Sequence, residues 1–474
     1  MKTSYKLLAV AVIAAAALIS CKKEAAPVVT ELKVSTTSLH LDKAGVDAES
    51  ASVQFTVESN TYWRAFKEDD CTWLGLSVMG AAAGKTTVTV SAASNVNVAP
   101  RTTKVTIETF DGTVAVVNFE QDFIDARIKD MNSPAFYGKP GTESVYPNCF
   151  RISEAGQYRF AARTPEGAKL PGTVGTWVWA NGCDWDRVPA EGVNDLLSKI
   201  EFDGNEFLIE VPENFHPGNV LLAVADDAGR VLCSWHIWTT VAPVDIELGG
   251  YSWMDRNIGA AHAFDSSDDA VCKASRGFYY QWGCKNPIIG AYDSTVKAAF
   301  VEGTSAAYTV YNDKLLNVAG WSLLTEAPEG WTGKTSDPVA YPMSYIAGES
   351  FFPLAETTEE WPESCSPCPY GYHVMTLTEA KALGNSTLVK TNAEGLATTN
   401  VASVLGSEGL VFPSNGYRHP STAVIAYAGN PDGRYWTSTP YNSTRRSYWL
   451  MNASNNKQNN AQGTCGMSVR CVKD

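Results

Sequence analysis

Apolar residues recur at every second position in short runs along the first quarter of the chain, and this alternation constrains the fold more than any other feature. Val53, Phe55 and Val57 form one such run, and shorter runs follow it. Successive side chains of a strand point to opposite faces, so each run predicts a strand with one buried face. Turn-forming segments such as AAAGK and FDG separate the runs. The pattern predicts an antiparallel β-sandwich over residues 31–123.

A second β-rich segment follows over residues 124–244. Its clearest piece is SKIEFDGNEFLIEVP, in which apolar residues alternate on both sides of the turn at Asp203 and Gly204. This pattern is typical of a hairpin. Near the end of the segment, VLCSWHIWT places Cys233 on one face of a strand and His236 on the other. We expect a second, Ig-like β-sandwich.

The N-terminus, MKTSYKLLAVAVIAAAALISC, has two lysines and then an apolar run that is too short to span a bilayer as a helix. This layout is typical of a secretory signal. The residues before Cys21 resemble the lipobox of bacterial lipoproteins; the alternative is an ordinary signal peptide with an incidental cysteine. The resemblance implies a signal peptide over 1–20, a lipidated Cys21 and a tether over 21–30. A lipidated chain is held at a membrane, so we expect an outer-membrane lipoprotein of the cell envelope, exposed at the surface.

Eleven cysteines minus the lipidated one leave ten, an even number in an exported chain, where disulfides persist. Spacing does not fix how they pair. Cys149 and Cys233 lie on the predicted first and last strands of the second sandwich and are one candidate pair. Cys365 and Cys368 have C-x-x-C spacing, but neither a second pair for zinc nor a βαβ pattern for a redox site accompanies them.

Residues 31–123 also resemble a known module. The segments SASVQFTVESNTYWRA, WLGLSV and VVNFEQDF are similar to a BACON domain, a small sandwich of Bacteroidetes surface proteins. The resemblance implies a glycan-binding module or a spacer. The second sandwich, with its SWHIW strand, is similar to a unit of Bacteroidales surface and fimbria-related lipoproteins, which implies a protein partner.

The alternation of apolar residues is not continued in residues 245–474. Distinctive segments follow one another there instead: YSWMDRNIG, RGFYYQWG, CPYGYHVMTLTE, LVFPSNGYR, GRYWTSTPYN, YWL and GMSVRCVKD. Together they closely resemble the Fibrobacter succinogenes major paralogous domain, which is related in fold to C-type-lectin-like domains and formylglycine-generating enzymes. The resemblance implies an α+β domain in an otherwise mainly β chain. It also implies that YWTST and SYWL are neighbouring strands, that the last strand lies beside the one after Cys368, and that Cys368 pairs with Cys471.

The aromatic pairs of GRYWTSTPYNSTRRSYWL divide between two faces of those strands, because neighbouring side chains alternate. Either both faces are buried or one is an exposed surface, where rings stack on sugars and polar groups bind hydroxyls. The second reading nominates a binding face made of Tyr417, Arg418, Tyr435, Trp436, Arg446 and Trp449.

The net charge and the sequence motifs exclude several classes of function. The net charge of −14 makes nucleic acid an unsuitable partner. The only acidic cluster that suggests a metal, DSSDD at 265–269, fits a solvated loop better, so we expect no metal and no cofactor. His373 and His419 are candidate bases without an identifiable partner. We expect a non-enzymatic protein that binds carbohydrate or a surface protein; adhesion within a fimbria and an enzyme of carbohydrate or sulfatase-related chemistry are the alternatives.

Overall fold

A computed structural model describes residues 29–474 except 44, 46–52, 96–98, 124, 126, 183–195, 266–268, 289, 291–308, 311–314, 319, 392–399, 407–408, 427–431 and 453–455. The predicted signal peptide, Cys21 and most of the predicted tether lie outside the described residues, as does the middle of the acidic cluster. The protein is mainly β. It divides into two compact units, which meet in sequence at Ala126 and Arg127.

Unit 1 consists of two sheets around one core. Their orders are β1-β3-β7-β5 and β2-β9-β8-β4-β6, and every pair is antiparallel except β2 with β9. The strands are β1 (Leu32–Val34), β2 (Ser38–Leu41), β3 (Gln54–Ser59), β4 (Trp63–Lys67), β5 (Leu74–Leu76), β6 (Gly80–Ala81), β7 (Gly84–Ala92), β8 (Arg101–Thr109) and β9 (Val114–Gln121). Phe55, Val57 and Trp63 are buried in this core, which confirms the alternation.

Unit 2 begins with eight strands that form a four-stranded and a larger sheet. The strands are β10 (Lys129–Asp130), β11 (Cys149–Ile152), β12 (Gly156–Ala161), β13 (Val174–Gly182), β14 (Lys199–Phe202), β15 (Glu206–Val211), β16 (Gly218–Ala225) and β17 (Val231–Thr239). β14 and β15 form the predicted hairpin. The Asp203 carboxylate closes its turn by accepting hydrogen bonds from the backbone amides of Asn205 and Glu206, each at 2.8 Å.

The remainder of unit 2 is built from shorter elements. Its helices are α1 (Asp269–Ala274) and α2 (Leu377–Ala382). Its strands are β18 (Asp245–Leu248), β19 (Tyr251–Met254), β20 (Tyr279–Gln281), β21 (Thr309–Val310), β22 (Ser322–Leu324), β23 (Ser344–Ile346), β24 (Tyr372–Val374), β25 (Ser386–Thr391), β26 (Asn400–Leu405), β27 (Leu410–Pro413), β28 (Tyr417–Arg418), β29 (Ile425–Ala426), β30 (Asp432–Pro440), β31 (Arg446–Asn452), β32 (Asn456–Ala461), β33 (Gly466–Ser468) and β34 (Cys471–Lys473).

The two parts of unit 2 share a sheet of order β11-β17-β16-β13-β21. One face of β17 presents Trp235 to a core that also contains Phe160. The opposite face presents Trp238, which packs into the core of the later part and donates a hydrogen bond from its indole nitrogen to the Ala260 carbonyl at 3.0 Å. A domain boundary at residues 244–245 stays a prediction, because residues on both sides of it contribute to one core.

The strand neighbours expected from the block resemblance are present. β24 pairs with β34, so that Val374 lies opposite Cys471. Cys368 and Cys471 form the predicted disulfide, with their Cα atoms 6.0 Å apart. β30 pairs with β31, as predicted for YWTST and SYWL.

The candidate disulfide between Cys149 and Cys233 is wrong. β11 and β17 do pair, but Cys149 lies opposite His236 and packs with the later part of unit 2. Cys233 points to the other face, into the core of the four-stranded sheet. Both thiols are free and buried, because the sheet itself separates the two sulfur atoms.

Candidate functional site

The predicted binding face on β30 and β31 is wrong, because both faces of this strand pair are buried. Trp436 and Tyr435 are fully buried, and Trp449 is 5% exposed. Trp436 packs in the core shared with the larger sheet, whereas Tyr435 and Trp449 pack in a second core beside α2. The alternation inferred from the sequence is therefore correct, but it distributes the rings between two interiors.

The two arginines of that predicted face are also interior groups. Arg418 and Arg446 are fully buried. The Arg418 guanidinium donates to the Ala423 carbonyl at 2.7 Å, and that of Arg446 donates to the Thr357 and Asn442 carbonyls, both at 3.0 Å. These side chains provide hydrogen bonds to loop carbonyls that lie outside regular strands.

Tyr417, the sixth residue of the predicted face, is half-buried. The Arg434 guanidinium lies 4.1 Å from the centre of its ring. The Asp432 carboxylate in turn accepts two hydrogen bonds from Arg434, each at 3.1 Å. One ring face of Tyr417 is thus already covered. Because the other five residues of the predicted face are buried, Tyr417 does not form a sugar-binding surface with them.

We expect Trp436→Ala to lower the free energy of unfolding by about 3–5 kcal/mol, because it removes a fully buried ring and its hydrogen bond to the Tyr280 carbonyl. Denaturant unfolding measures the effect. The matched control is Tyr441→Ala, at the exposed β30–β31 turn, where the change stays within about 0.5 kcal/mol. Equal stability of the two variants would contradict the burial of Trp436.

An open cleft in unit 2 is lined by aromatic side chains that are partly accessible, unlike those of β30 and β31. It measures about 720 Å³ and lies where the segments 144–148 and 165–166 meet the segment 360–376. Three half-buried tyrosines line it, Tyr146, Tyr370 and Tyr372, and we call it the tyrosine cleft. Its polar lining includes Ser144, Glu166, Glu360, Glu363, Ser364, Ser366 and His373.

Contacts between the two parts of unit 2 fix the walls of the tyrosine cleft. The Asn148 side-chain amide donates to the carbonyls of Ser364 at 2.9 Å and Ser366 at 3.1 Å. The rings of Tyr137 and Tyr370 lie 5.1 Å apart. The Lys139 ammonium is 5.4 Å from the centre of the Tyr370 ring. These contacts hold the Tyr370 ring in place at the edge of the cleft.

The Tyr146 ring is positioned by the turn beneath it. Gly167 has a φ of +82°, a conformation that favours glycine, and a Cβ at this position would stand 3.1 Å from the Tyr146 ring. Tyr372, on β24, donates from its hydroxyl to the Asp245 carboxylate at 2.7 Å. All three rings are therefore supported by neighbouring chain segments rather than projecting freely into solvent.

His373, which lines the tyrosine cleft, lies between two carboxylates. Its Nδ1 is 2.9 Å from the Asp474 carboxylate and its Nε2 is 2.9 Å from that of Glu379. The hydrogen bonds to Asp474 and Glu379 raise the pKa of His373 to about 9. The imidazole is thus a fixed cation at neutral pH, with both ring nitrogens occupied, and is unsuited to accept a proton from a substrate.

The two carboxylates are also held in their charged forms. The hydrogen bond from His373 lowers the pKa of Asp474. For Glu379, burial opposes ionisation, but the hydrogen bonds from His373 and from the Thr376 backbone amide lower its pKa. Glu379 belongs to the capping box of α2, in which Thr376 accepts from the Glu379 amide at 3.2 Å. The sequence identified His373 as a candidate base but not its two carboxylate partners.

We expect His373 to stabilise unit 2 fully below pH 6.5, its usual pKa, and to lose this contribution as the pH rises through about 9, because its folded-state pKa is raised. The carboxylates act in the opposite direction: their contribution is lost as the pH falls below their usual pKa values. Denaturant unfolding at several pH values tests this, with His373→Gln as the comparison. An alkaline decline that persists unchanged in His373→Gln would contradict the assignment.

A Cys–His–Asn arrangement lies inside unit 2. The Cys149 sulfur is 3.6 Å from Nδ1 of His236, and Nε2 of His236 is 2.8 Å from Oδ1 of Asn219. Such a set resembles the groups that activate a nucleophilic thiol. Here all three residues are buried. Burial raises the pKa of Cys149 and lowers the pKa of His236 to about 3. Both groups are therefore neutral and shielded from any substrate.

The C-x-x-C pair does not form a redox site in the structure. Cys368 is bonded to Cys471, and Cys365 is a buried free thiol whose pKa burial raises. Among the described residues, no three histidine, cysteine or acidic side chains are grouped as metal ligands. None of the described helices is long and apolar enough to cross a membrane.

The chain matches no protein-family profile and none of the curated proteins. Solved structures match in part: a Bacteroides ovatus GH5 xyloglucanase in complex with a XXXG heptasaccharide (20% identity, 22% of each chain, TM-score 0.17), titin Ig tandem domains (8%, 45% of this chain and 100% of that, 0.20) and SporoSAG from Toxoplasma gondii (11%, 43% and 96%, 0.23). The matched region thus spans 22% of the xyloglucanase. At these TM-scores the likenesses carry no argument about function.

Proposed function

We propose that the protein is a non-enzymatic lipoprotein of the cell envelope, attached to the outer membrane through Cys21, that binds a carbohydrate in the tyrosine cleft. In this proposal unit 1 is a BACON-like sandwich, and unit 2 combines an Ig-like sandwich with a C-type-lectin-like domain. The lining of the cleft is the observation that carries the binding function. Three half-buried tyrosines and several hydroxyl and carboxylate groups face one open space of about 720 Å³.

A carbohydrate fits this lining better than other ligand classes. Sugar rings have apolar faces that pack on aromatic rings and hydroxyl groups that need hydrogen-bond partners. Tyr146 and Tyr370 supply supported rings, while the exposed carboxylates of Glu166, Glu360 and Glu363 supply acceptors. The acceptors are anionic, so a neutral or amino sugar fits this space better than a sulfated or uronic one.

The protonation state of His373, the one histidine among the described residues that line the cleft, favours binding over catalysis. Each ring nitrogen of His373 is engaged by a carboxylate, and the raised pKa keeps the imidazole charged. The residue therefore serves as an anchor for Asp474 and α2 rather than as a general base. A protein partner, as in an adhesive or fimbria-associated role, remains the alternative function, because tyrosine-rich surfaces are also common at protein interfaces.

A glycan array that includes mucin and plant polysaccharides tests the proposal, with the exported chain carrying Cys21→Ser as the probe. We expect Tyr146→Ala and Tyr370→Ala each to weaken binding roughly tenfold, the loss expected from about 1.4 kcal/mol of ring stacking. Tyr441→Ala, an exposed tyrosine outside the cleft, is the matched control and leaves binding unchanged.

Two results would contradict the carbohydrate site. If the folded chain binds no glycan, the carbohydrate function is wrong and the result favours a protein partner. If it binds a glycan with equal affinity in all three tyrosine variants, the ligand lies elsewhere on the protein. Unchanged thermal stability of each variant shows that a loss of binding comes from the cleft and not from unfolding.

A further inference from the structure

At one end of unit 1, the residues that lead into β1 lie beside three turns. The Asn60 side chain, in the β3–β4 turn, donates to the Val29 carbonyl at 2.8 Å and accepts from the Glu31 amide at 2.9 Å. Thr30 donates from its hydroxyl to Asp111, in the β8–β9 turn. The β6–β7 turn lies at the same end, since Gly84 pairs with Ser59. We call this surface, residues 29–31, 60–62, 82–83 and 110–114, the tether end.

The tether end exposes an unusual amount of apolar surface. Phe110 is 98% exposed, Val29 78%, Val114 51% and Tyr62 48%. Ala82 and Ala83 are exposed beside them. Large apolar side chains in water are common one at a time, but several of them at one end of a sandwich mark an interaction surface. A phenylalanine that makes almost no contact with its own protein, at the tip of a turn, is available to a partner.

The one acid at the tip of the β8–β9 turn is held within the turn. The Asp111 carboxylate accepts hydrogen bonds from Thr30 and, at 2.6 Å, from the hydroxyl of Thr109. It also accepts from the Thr113 amide at 3.3 Å. Its oxygens are therefore turned toward the protein, while the neighbouring Phe110 projects outward. This arrangement separates the charged and apolar groups of the same turn.

If Cys21 is lipidated as proposed above, the short chain that precedes Val29 keeps this surface close to the membrane. From Cys21 to Val29 there are 29 − 21 = 8 residue steps, which span at most roughly 29 Å when fully extended. The tether end is thus the part of unit 1 that a lipidated Cys21 holds within that distance of the bilayer. A membrane surface accepts phenylalanine at the acyl boundary and tyrosine at the headgroup level.

We propose that the tether end docks on the lipid bilayer, with Phe110 inserted at the headgroup boundary and Tyr62, Val29 and Val114 resting on the surface. The inference depends on the proposed lipidation and adds a second, protein-made contact to it. An acyl anchor alone does not determine which end of unit 1 faces the lipid. Contact through the turns of the tether end determines it.

Fluorescence on vesicles tests the docking. The full lipidated chain is reconstituted in vesicles of phosphatidylethanolamine and phosphatidylglycerol. An environment-sensitive fluorescent amino acid replaces Phe110 in one sample and, as the matched control, Phe66 in another. Phe66 is 47% exposed on β4, away from the turns. On vesicles, we expect the emission from position 110 to shift to shorter wavelength and to resist quenching by iodide. The emission from position 66 keeps the wavelength that it has in lipid-free buffer.

The other outcomes overturn the proposal in distinguishable ways. If mass spectrometry finds the acyl chains on Cys21 but position 110 stays open to iodide, the docking is wrong and the lipoprotein assignment stands. If Cys21 carries no acyl chain, the lipoprotein assignment fails and the docking falls with it. If both positions are shielded, or shielding at position 110 rises with protein density, a second copy of the chain covers the surface instead of lipid.

Discussion

The architecture of unit 2 depends on one sheet, β11-β17-β16-β13-β21, whose central strand β16 is buried on both faces. Every residue of β16 is buried, which an edge or surface strand of a single sandwich does not show. Trp235 fills the core on one side and Trp238 the core on the other. Neither side can be removed without exposing a full layer of apolar side chains. The tyrosine cleft exists because the two parts meet around this sheet.

Irregular backbone creates a second constraint in residues 245–474. Carbonyl groups outside strands must find donors when they are buried, and arginine and tryptophan side chains supply them. Arg256 donates to the Ala261 carbonyl at 3.2 Å. The Trp361 indole donates to the Cys365 carbonyl at 3.0 Å. These side chains replace part of the hydrogen bonding that longer strands provide elsewhere.

Local patterns predicted local structure well. Alternation identified the buried residues of unit 1, and the predicted turn at Asp203 is present. The cysteine bridge to Cys471 followed from the order of sequence blocks rather than from local chemistry. Alternation also assigned the rings of β30 and β31 to two faces. It could not tell that both faces are covered, because burial depends on which distant segments pack there.

The candidate site was missed for the same physical reason. Tyr146 and Tyr370 are more than two hundred residues apart, and no periodicity joins them. The sequence identified His373 as a candidate base. Its partner Asp474 is brought next to it only by the pairing of β24 with β34. Contacts that depend on the topology of the whole unit leave little trace in a single sequence, whereas strand faces, turns and caps are encoded within a few residues.

Calorimetry of the intact, disulfide-bonded chain tests the shared sheet most directly. Residues 127–474 unfold as one cooperative unit in this account, so heating gives two transitions, one for each unit. Trp238→Ala, which opens a cavity in the shared sheet, lowers the midpoint of the larger transition as a whole and leaves the smaller one unchanged. Three transitions, with the substitution displacing only part of the larger one, would contradict the account.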